Sequence, residues 1–318
     1  MKKYRPGLFL ILLIGLLFLP VVIKNTYYCM LLDQTLINII IVFGLNFITG
    51  LTGQMNLGMA GIFALGAYTS ALLTTQCHLS PWLSLIAAVA MGCLIGVVLG
   101  WPSLRVKGIY LALTTIGFGE IVRLLLTNMA GITGGTQGVL NIPAYQIFQL
   151  GINNERIFYY FLLVITSVMF WIAMKIVHSK WGRVFKAIRD NDQAVESCGI
   201  NIASVKIKAF ILCTIYGCVG GALYAHLMGY LNPADFTVDF SVKYLMMLML
   251  GGIGSIPGNI IGAGVVTLLP EILRFLKDFY WLIFSVILFV ICIILPNGLV
   301  SIFGAGWPFN GKNLRRRP

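Results

Sequence analysis

The chain has 318 residues, of which 59% are hydrophobic and only 10% charged, and its mean hydropathy is +0.93. These values exclude a soluble globular domain and leave lipid as the solvent for most of the chain. A formal net charge of +12 does not indicate a nucleic-acid binder, because the basic residues flank apolar runs, where anionic lipid head groups attract them.

An apolar run of roughly 20 residues crosses the ~30 Å hydrocarbon layer as a helix, and the sequence predicts an all-α polytopic membrane protein with about ten such helices. In chain order the spans are Leu8 to Ile23, Leu36 to Leu51, Leu57 to Thr74, Trp82 to Leu104 and Ile109 to Asn128, then Ile157 to Val177, Ile207 to Leu231, Ser241 to Gly252, Gly258 to Phe275 and Trp281 to Phe303. The first follows Lys2, Lys3 and Arg5, yet Val22 to Tyr28 offers no small-x-small cleavage site, so it is read as a retained helix rather than a secretory signal. Loops rich in Lys and Arg stay cytoplasmic, and placing both termini inside puts most of the 22 basic residues on that side.

Chemistry of other kinds finds no support. The seven cysteines include no CxxC pair, and His78, His178 and His226 form no HExxH pattern, so neither a metal nor another cofactor is expected. The only Gly-Lys pair, Gly311-Lys312, is followed by Asn313, so no phosphate-cradling loop is present and the chain is expected not to hydrolyse ATP. No nucleophile or paired-carboxylate pattern points to an enzyme.

Within the spans, Gly92, Gly96 and Gly100, and Gly217, Gly221, Ala225 and Gly229, recur at helical spacing, which lets backbones approach closely in lipid. They mark contacts within the bundle or between subunits. Two glycine-rich breaks, Thr49 to Gly61 and Gly251 to Gly264, fall between apolar runs. Each is either a tight cytoplasmic turn or a broken helix lining a path, where Gln54, Asn56 and Asn259 would supply hydrogen bonds.

The fifth span carries Thr114, Thr115, Glu120 and Arg123, with Glu120 about 16 Å along the helix at 1.5 Å per residue, near mid-membrane. Arg123, three residues on, shares its face and can pair with it, which leaves a structural ion pair and a place on the substrate path both open. Beyond this span, Thr133 to Gly138 opens the longest outer segment, a candidate gate or partner-binding loop.

One charged stretch, Ser179 to Ile200, interrupts this apolar background between the sixth and seventh spans. Val184, Ala187, Ile188, Ala194 and Val195 recur at roughly helical spacing among charges, and Asp190 or Asn191 can cap a second helix. Two short amphipathic helices joined by a turn are expected, and their three acids favour docking on a protein over lying on lipid.

Five segments together resemble the permease subunits of ATP-driven importers for branched-chain amino acids, within a wider group that includes sugar and urea permeases. They are Asn46 to Tyr68, Tyr110 to Arg123, Thr133 to Val139, Gly182 to Ile200 and Leu250 to Gly264. The resemblance implies a single permease domain over residues 1–318 with a coupling loop at 178–206, and a topology like that of the vitamin B12 importer. It implies as partners a second, homologous permease subunit, two ATP-binding cassette ATPase subunits and an extracytoplasmic binding protein, in the cytoplasmic membrane of a prokaryote. Gly182, Arg183, Ala187, Ile188, Arg189, Asp190, Asn191, Asp192 and Ala194 match the family's coupling motif. Asp192 stands where many relatives have Glu, which keeps the charge. Gln54, Asn56, Thr114, Thr115, Glu120 and Arg123 are the candidate path residues. Urea and short amides are alternative substrates, and an ion-coupled secondary transporter is the rival class.

Overall fold

The computed structural model describes residues 25–106, 108–147, 150–151, 155–295 and 298–303. The span expected at Leu8 to Ile23 and the basic flanks at both ends lie outside the described residues. Among the described residues six helical stretches are long and apolar enough to cross a membrane: Thr26–Thr52, Pro81–Leu104, Ile109–Asn128, Ile157–His178, Ile202–Met228 and Ile256–Phe275. Met59–Thr75 and Leu282–Ile291 are shorter apolar helices. The chain is a multi-pass membrane protein, and among the described residues its regular structure is helical apart from one small hairpin and one isolated bridge.

The first described helix, α1 (Thr26–Leu45), is capped by Asn25 and runs on without a break into a π-helical segment, Asn46–Thr52. It starts well before Leu36, where hydropathy places it. Asp33 and Thr35 hide the first turns from a hydropathy reading, yet both are buried within the protein. α2 (Met59–Thr75), α3 (Pro81–Gly100) and α4 (Ile109–Asn128) follow, then a single turn, α5 (Ala130–Thr133). After the outer segment come α6 (Glu155–His178), two short helices, α7 (Lys180–Asp190) and α8 (Asp192–Ser197), and the long α9 (Ile202–Met228). Then follow α10 (Val238–Gly251), α11 (Ile256–Ile272) and α12 (Tyr280–Ile294).

The core forms around α9, which packs along α1, α2 and α3. The row on α3 and Gly217 and Gly221 of the second row lie at these contacts, whereas Gly229 is the left-handed cap that ends α9, where a Cβ would meet nothing within 4 Å. A Cβ at Gly92, Gly96 or Gly100 would sit 2.8, 2.5 or 3.1 Å from Ile215, Ile211 or Ile207 of α9, so α3 and α9 run antiparallel with backbones almost touching. Gly217 of α9 meets Ile62 and Met59, and Gly221 meets the backbone of Phe63 to Ala67, so α2 runs parallel to α9. Thr214 adds a polar tie, its hydroxyl donating to the Gly92 carbonyl at 2.6 Å. Close approach of this kind supplies the dispersion contacts that hold helices together where lipid removes the hydrophobic drive. Large apolar side chains such as Ile86, Leu94, Leu113, Val164 and Phe289 stay exposed on the outer helices, as a lipid-facing surface requires.

At one end, Val139 bridges to Leu231, and a two-residue hairpin pairs β1 (Gln146–Ile147) with β2 (Leu150–Gly151). His226 pins this outer segment: Nδ1 lies 2.6 Å from the Pro143 carbonyl and Nε2 2.8 Å from Ser70, which in turn bonds Ser84. At the other end, Lys208 stands over Trp181 and Lys175 over Trp171, an arrangement typical of a membrane interface. The tenth span, expected to reach Phe303, instead ends at Ile294. Leu295 leaves the helical region at φ −122°, ψ 68°, as a residue before proline tends to, and Leu299–Phe303 forms a short 3-10 turn.

Candidate functional site

The charged stretch forms the two helices expected of it. Ser179 accepts from the Trp181 amide to start α7, and Asn191 Oδ1 accepts from the amides of Gln193 and Ala194 at 2.9 and 3.2 Å to start α8. α7 is strongly amphipathic: Gly182, Phe185 and Ile188 are buried, while Arg183, Ala187 and Asp190 are exposed. Burial lowers the Lys186 ammonium below its usual pKa.

The nine coupling-motif residues divide by direction. Gly182 packs so closely that a Cβ would meet the Val177 carbonyl, and Ile188 fills the core beneath the helix. Arg189 Nη1 donates to the carbonyl oxygen of Gly50 at 2.7 Å. Asp192 Oδ2 accepts from the buried Lys206 ammonium at 2.9 Å, which ties α8 to the start of α9. Arg183, Ala187, Asp190, Asn191 and Ala194 face outward. The motif therefore contains an anchoring half and a presented half.

At the glycine break, Thr49 to Gly61, the chain reverses direction: α1 runs antiparallel to α9, with Gly44 against Cys213 and Tyr216 and Ile41 against Gly220, whereas α2 runs parallel to it. The π segment ends at Gly53, left-handed at φ 71°, an irregular stretch follows, and α2 begins at Met59. Asn56 is fully buried and its Oδ1 accepts from the Gly58 amide at 2.8 Å, while Thr115 Oγ1 accepts from the Leu57 amide at 3.0 Å. A Cβ at Gly61 would stand 2.7 Å from Gly119, so the break lies directly on α4. The second break meets the first: Asn46 Oδ1 accepts from the Gly254 amide at 2.9 Å, and Asn259 Nδ2 reaches the Val42 carbonyl at 3.5 Å. Around this junction Asn46 Nδ2, Thr49 Oγ1, Gln54 Oε1 and Asn259 Oδ1 are buried with no protein hydrogen-bond partner. Four of the eight such atoms among the described residues gather here, and each is a buried polar group that calls for a partner.

The candidate path residues thus form two groups. Gln54, Asn56 and Thr115 gather at the break. Thr114, Glu120 and Arg123 lie on other faces of α4, where Thr114 is exposed and the carboxylate and guanidinium are 40% and 27% accessible. Arg123 Nε donates to both Glu120 oxygens at 3.1 and 3.0 Å, and Nη2 adds a further bond to Oε1. The pair expected from the spacing is present, on a surface that this chain leaves open.

Sequence reasoning missed Asn46, Lys206, Ser70 and His226. Asn46 is the recoverable one, as an amide at the end of a long apolar run whose one other amide side chain is Asn38.

A model of the branched-chain amino acid transport system permease component matches residues 27–294. The high-affinity branched-chain amino acid transport system permease protein LivM of Escherichia coli (strain K12) is 32% identical over 289 residues, covering 84% of this chain and 68% of that protein. The probable branched-chain amino acid transport permease protein LivM of Methanocaldococcus jannaschii is 27% identical over 237 residues, 69% of this chain and 67% of that one. The autoinducer 2 import system permease protein LsrC of Salmonella paratyphi B is 29% identical over 204 residues, 62% of this chain and 56% of that one. No solved structure matches. Since the likeness runs through nearly the whole helical body and not one motif, the chain belongs to the family of branched-chain amino acid transport permease components.

Proposed function

We propose that this chain is the membrane-spanning subunit of an ATP-driven importer that carries branched-chain amino acids across the cytoplasmic membrane of a prokaryote. The observation that supports it is the 32% identity to the Escherichia coli permease along 84% of the chain. It performs no chemistry on ATP. A second, homologous permease completes the translocation path, two ATP-binding cassette subunits supply the stroke, and an extracytoplasmic binding protein delivers substrate. The chain crosses the membrane ten times with both termini inside, in a topology like that of the vitamin B12 importer. The antiparallel pairing of α9 with α3 and its parallel pairing with α2 fit that alternation.

In this reading the exposed residues of α7 and α8 dock on an ATPase subunit, and ATP binding and hydrolysis tilt the two permeases between inward-open and outward-open states. Gln54, Asn56 and Thr115 line the path at the break. Thr114, Glu120 and Arg123 face the second permease or the water between the two. A lone charge at membrane depth costs roughly 3 kcal/mol or more; pairing lowers that cost, but the donors and lone pairs that the Glu120–Arg123 pair leaves over still call for a polar neighbour.

The test is uptake into proteoliposomes holding both permeases, the ATPases and the binding protein. Leucine, isoleucine and valine are expected to enter only with ATP inside or on the ATPase side, and to compete with one another. Competition by urea or short amides, without competition among the three amino acids, would assign the complex to the amide-transporting branch of the family instead.

A further inference from the structure

The coupling helix and the glycine break are joined by one side chain. Arg189, in the last turn of α7, turns its guanidinium away from the presented face and bonds the Gly50 carbonyl. That carbonyl lies in the last turn of the π segment, where backbone oxygens lose their in-helix partners and the helix dipole is negative, so a cation is the fitting cap. The contact is close along its length: a Cβ at Gly53 would stand 3.1 Å from Arg189 Cγ. The same π segment reaches the second break through Asn46 and the Gly254 amide, and a Cβ at Gly50 would lie 3.0 Å from that amide. Both turns depend on left-handed glycines, Gly53 at φ 71° and Gly254 at φ 86°.

We propose that Arg189 is a positioning residue that links the coupling helix to both glycine breaks, so that a displacement of α7 carries the π segment and the Gly252–Ser255 turn with it. The proposal rests on reading α7 and α8 as the element that receives the ATPase stroke. The two breaks are where the polar atoms without partners are concentrated, so the link runs from the partner-facing surface straight to the polar junction. Anchoring through a backbone carbonyl suits this task, because it moves the main chain rather than a side chain.

The experiment measures ATP hydrolysed per leucine taken up by the complete importer in proteoliposomes. Arg189→Ala should raise that ratio by about tenfold or more, with the ATPase subunits still bound. Arg189→Lys, which keeps the charge with a shorter reach, should restore part of the coupling. Gly53→Ala should raise the ratio in the same direction, and the double variant should be no worse than the worse single one. An unchanged ratio in Arg189→Ala overturns the proposal, and so does release of the ATPase subunits, which would make Arg189 a docking residue. Should Arg189→Ala fail to reach the membrane, unchanged ratios in both Arg189→Lys and Gly53→Ala overturn it equally. The paired variant Arg183→Glu with Asp190→Arg separates this from the parent reading. It should detach the ATPases, and normal binding and uptake there would remove the coupling role of α7 whatever Arg189 does.

Discussion

Glu120 and Arg123 form an ion pair that their own subunit leaves partly open, at 40% and 27% accessibility. A pair needed only for folding would be expected to point into the subunit, since water or a polar partner has to satisfy the remaining lone pairs and donors. We therefore expect Glu120→Gln to lower leucine uptake per assembled importer by about tenfold, a rise of roughly 1.4 kcal/mol in the transport barrier. Importer abundance should stay near that of the unaltered protein. A fall in abundance alone, with normal uptake per complex, would make the pair structural. This contact was legible in the sequence because partners three apart on a helix share a face. The bond from Arg189 to Gly50 was not, because it spans 139 positions and no local period announces it. For the same reason the motif's division into anchoring and presented residues was hidden: Arg189 and Asp190 are adjacent charged residues of opposite sign, and only packing shows which one faces outward.

At the scale of elements, the glycine rows of α3 and α9 could be read directly, since a repeat of small residues every fourth position has one main physical use in lipid. What they could not name was the partner. Gly96 approaches Ile211 so closely that any Cβ forces the helices apart. Gly96→Ala is accordingly expected to destabilise the isolated permease by about 1–3 kcal/mol, the usual cost of overpacking. A fall in the midpoint of thermal unfolding in detergent would show it. Gly117→Ala is the control, because nothing lies within 4 Å of a Cβ there, and it should leave the midpoint unchanged or raise it. Equal losses at both positions would refute the packing account. The π segment was beyond sequence reasoning, as NFITGLT has the hydropathy of an ordinary helix end. Its register is set by tertiary contacts from Arg189 and Gly254. The early start of α1 was hidden for a related reason, because its polar residues are sheltered by protein and not by lipid.

At the scale of the whole molecule, the chain is a bundle around α9 with its two ends differently equipped. One end holds an outer segment pinned through His226, Ser70 and Pro143. The other presents α7 and α8, with the polar junction of the two glycine breaks behind them. Under the proposed function, one end would receive the binding protein and the other the ATPase, with the polar junction between them. A carrier driven by an ion gradient would need no presented helix pair, and Glu120 alone would serve as its proton or cation site. The most direct discriminator is leucine uptake by this chain alone in liposomes under an imposed proton or sodium gradient, compared with uptake by the complete complex supplied with ATP. The account predicts uptake only in the complete complex and only with ATP. Gradient-driven uptake by the isolated chain, abolished by Glu120→Gln, would contradict it.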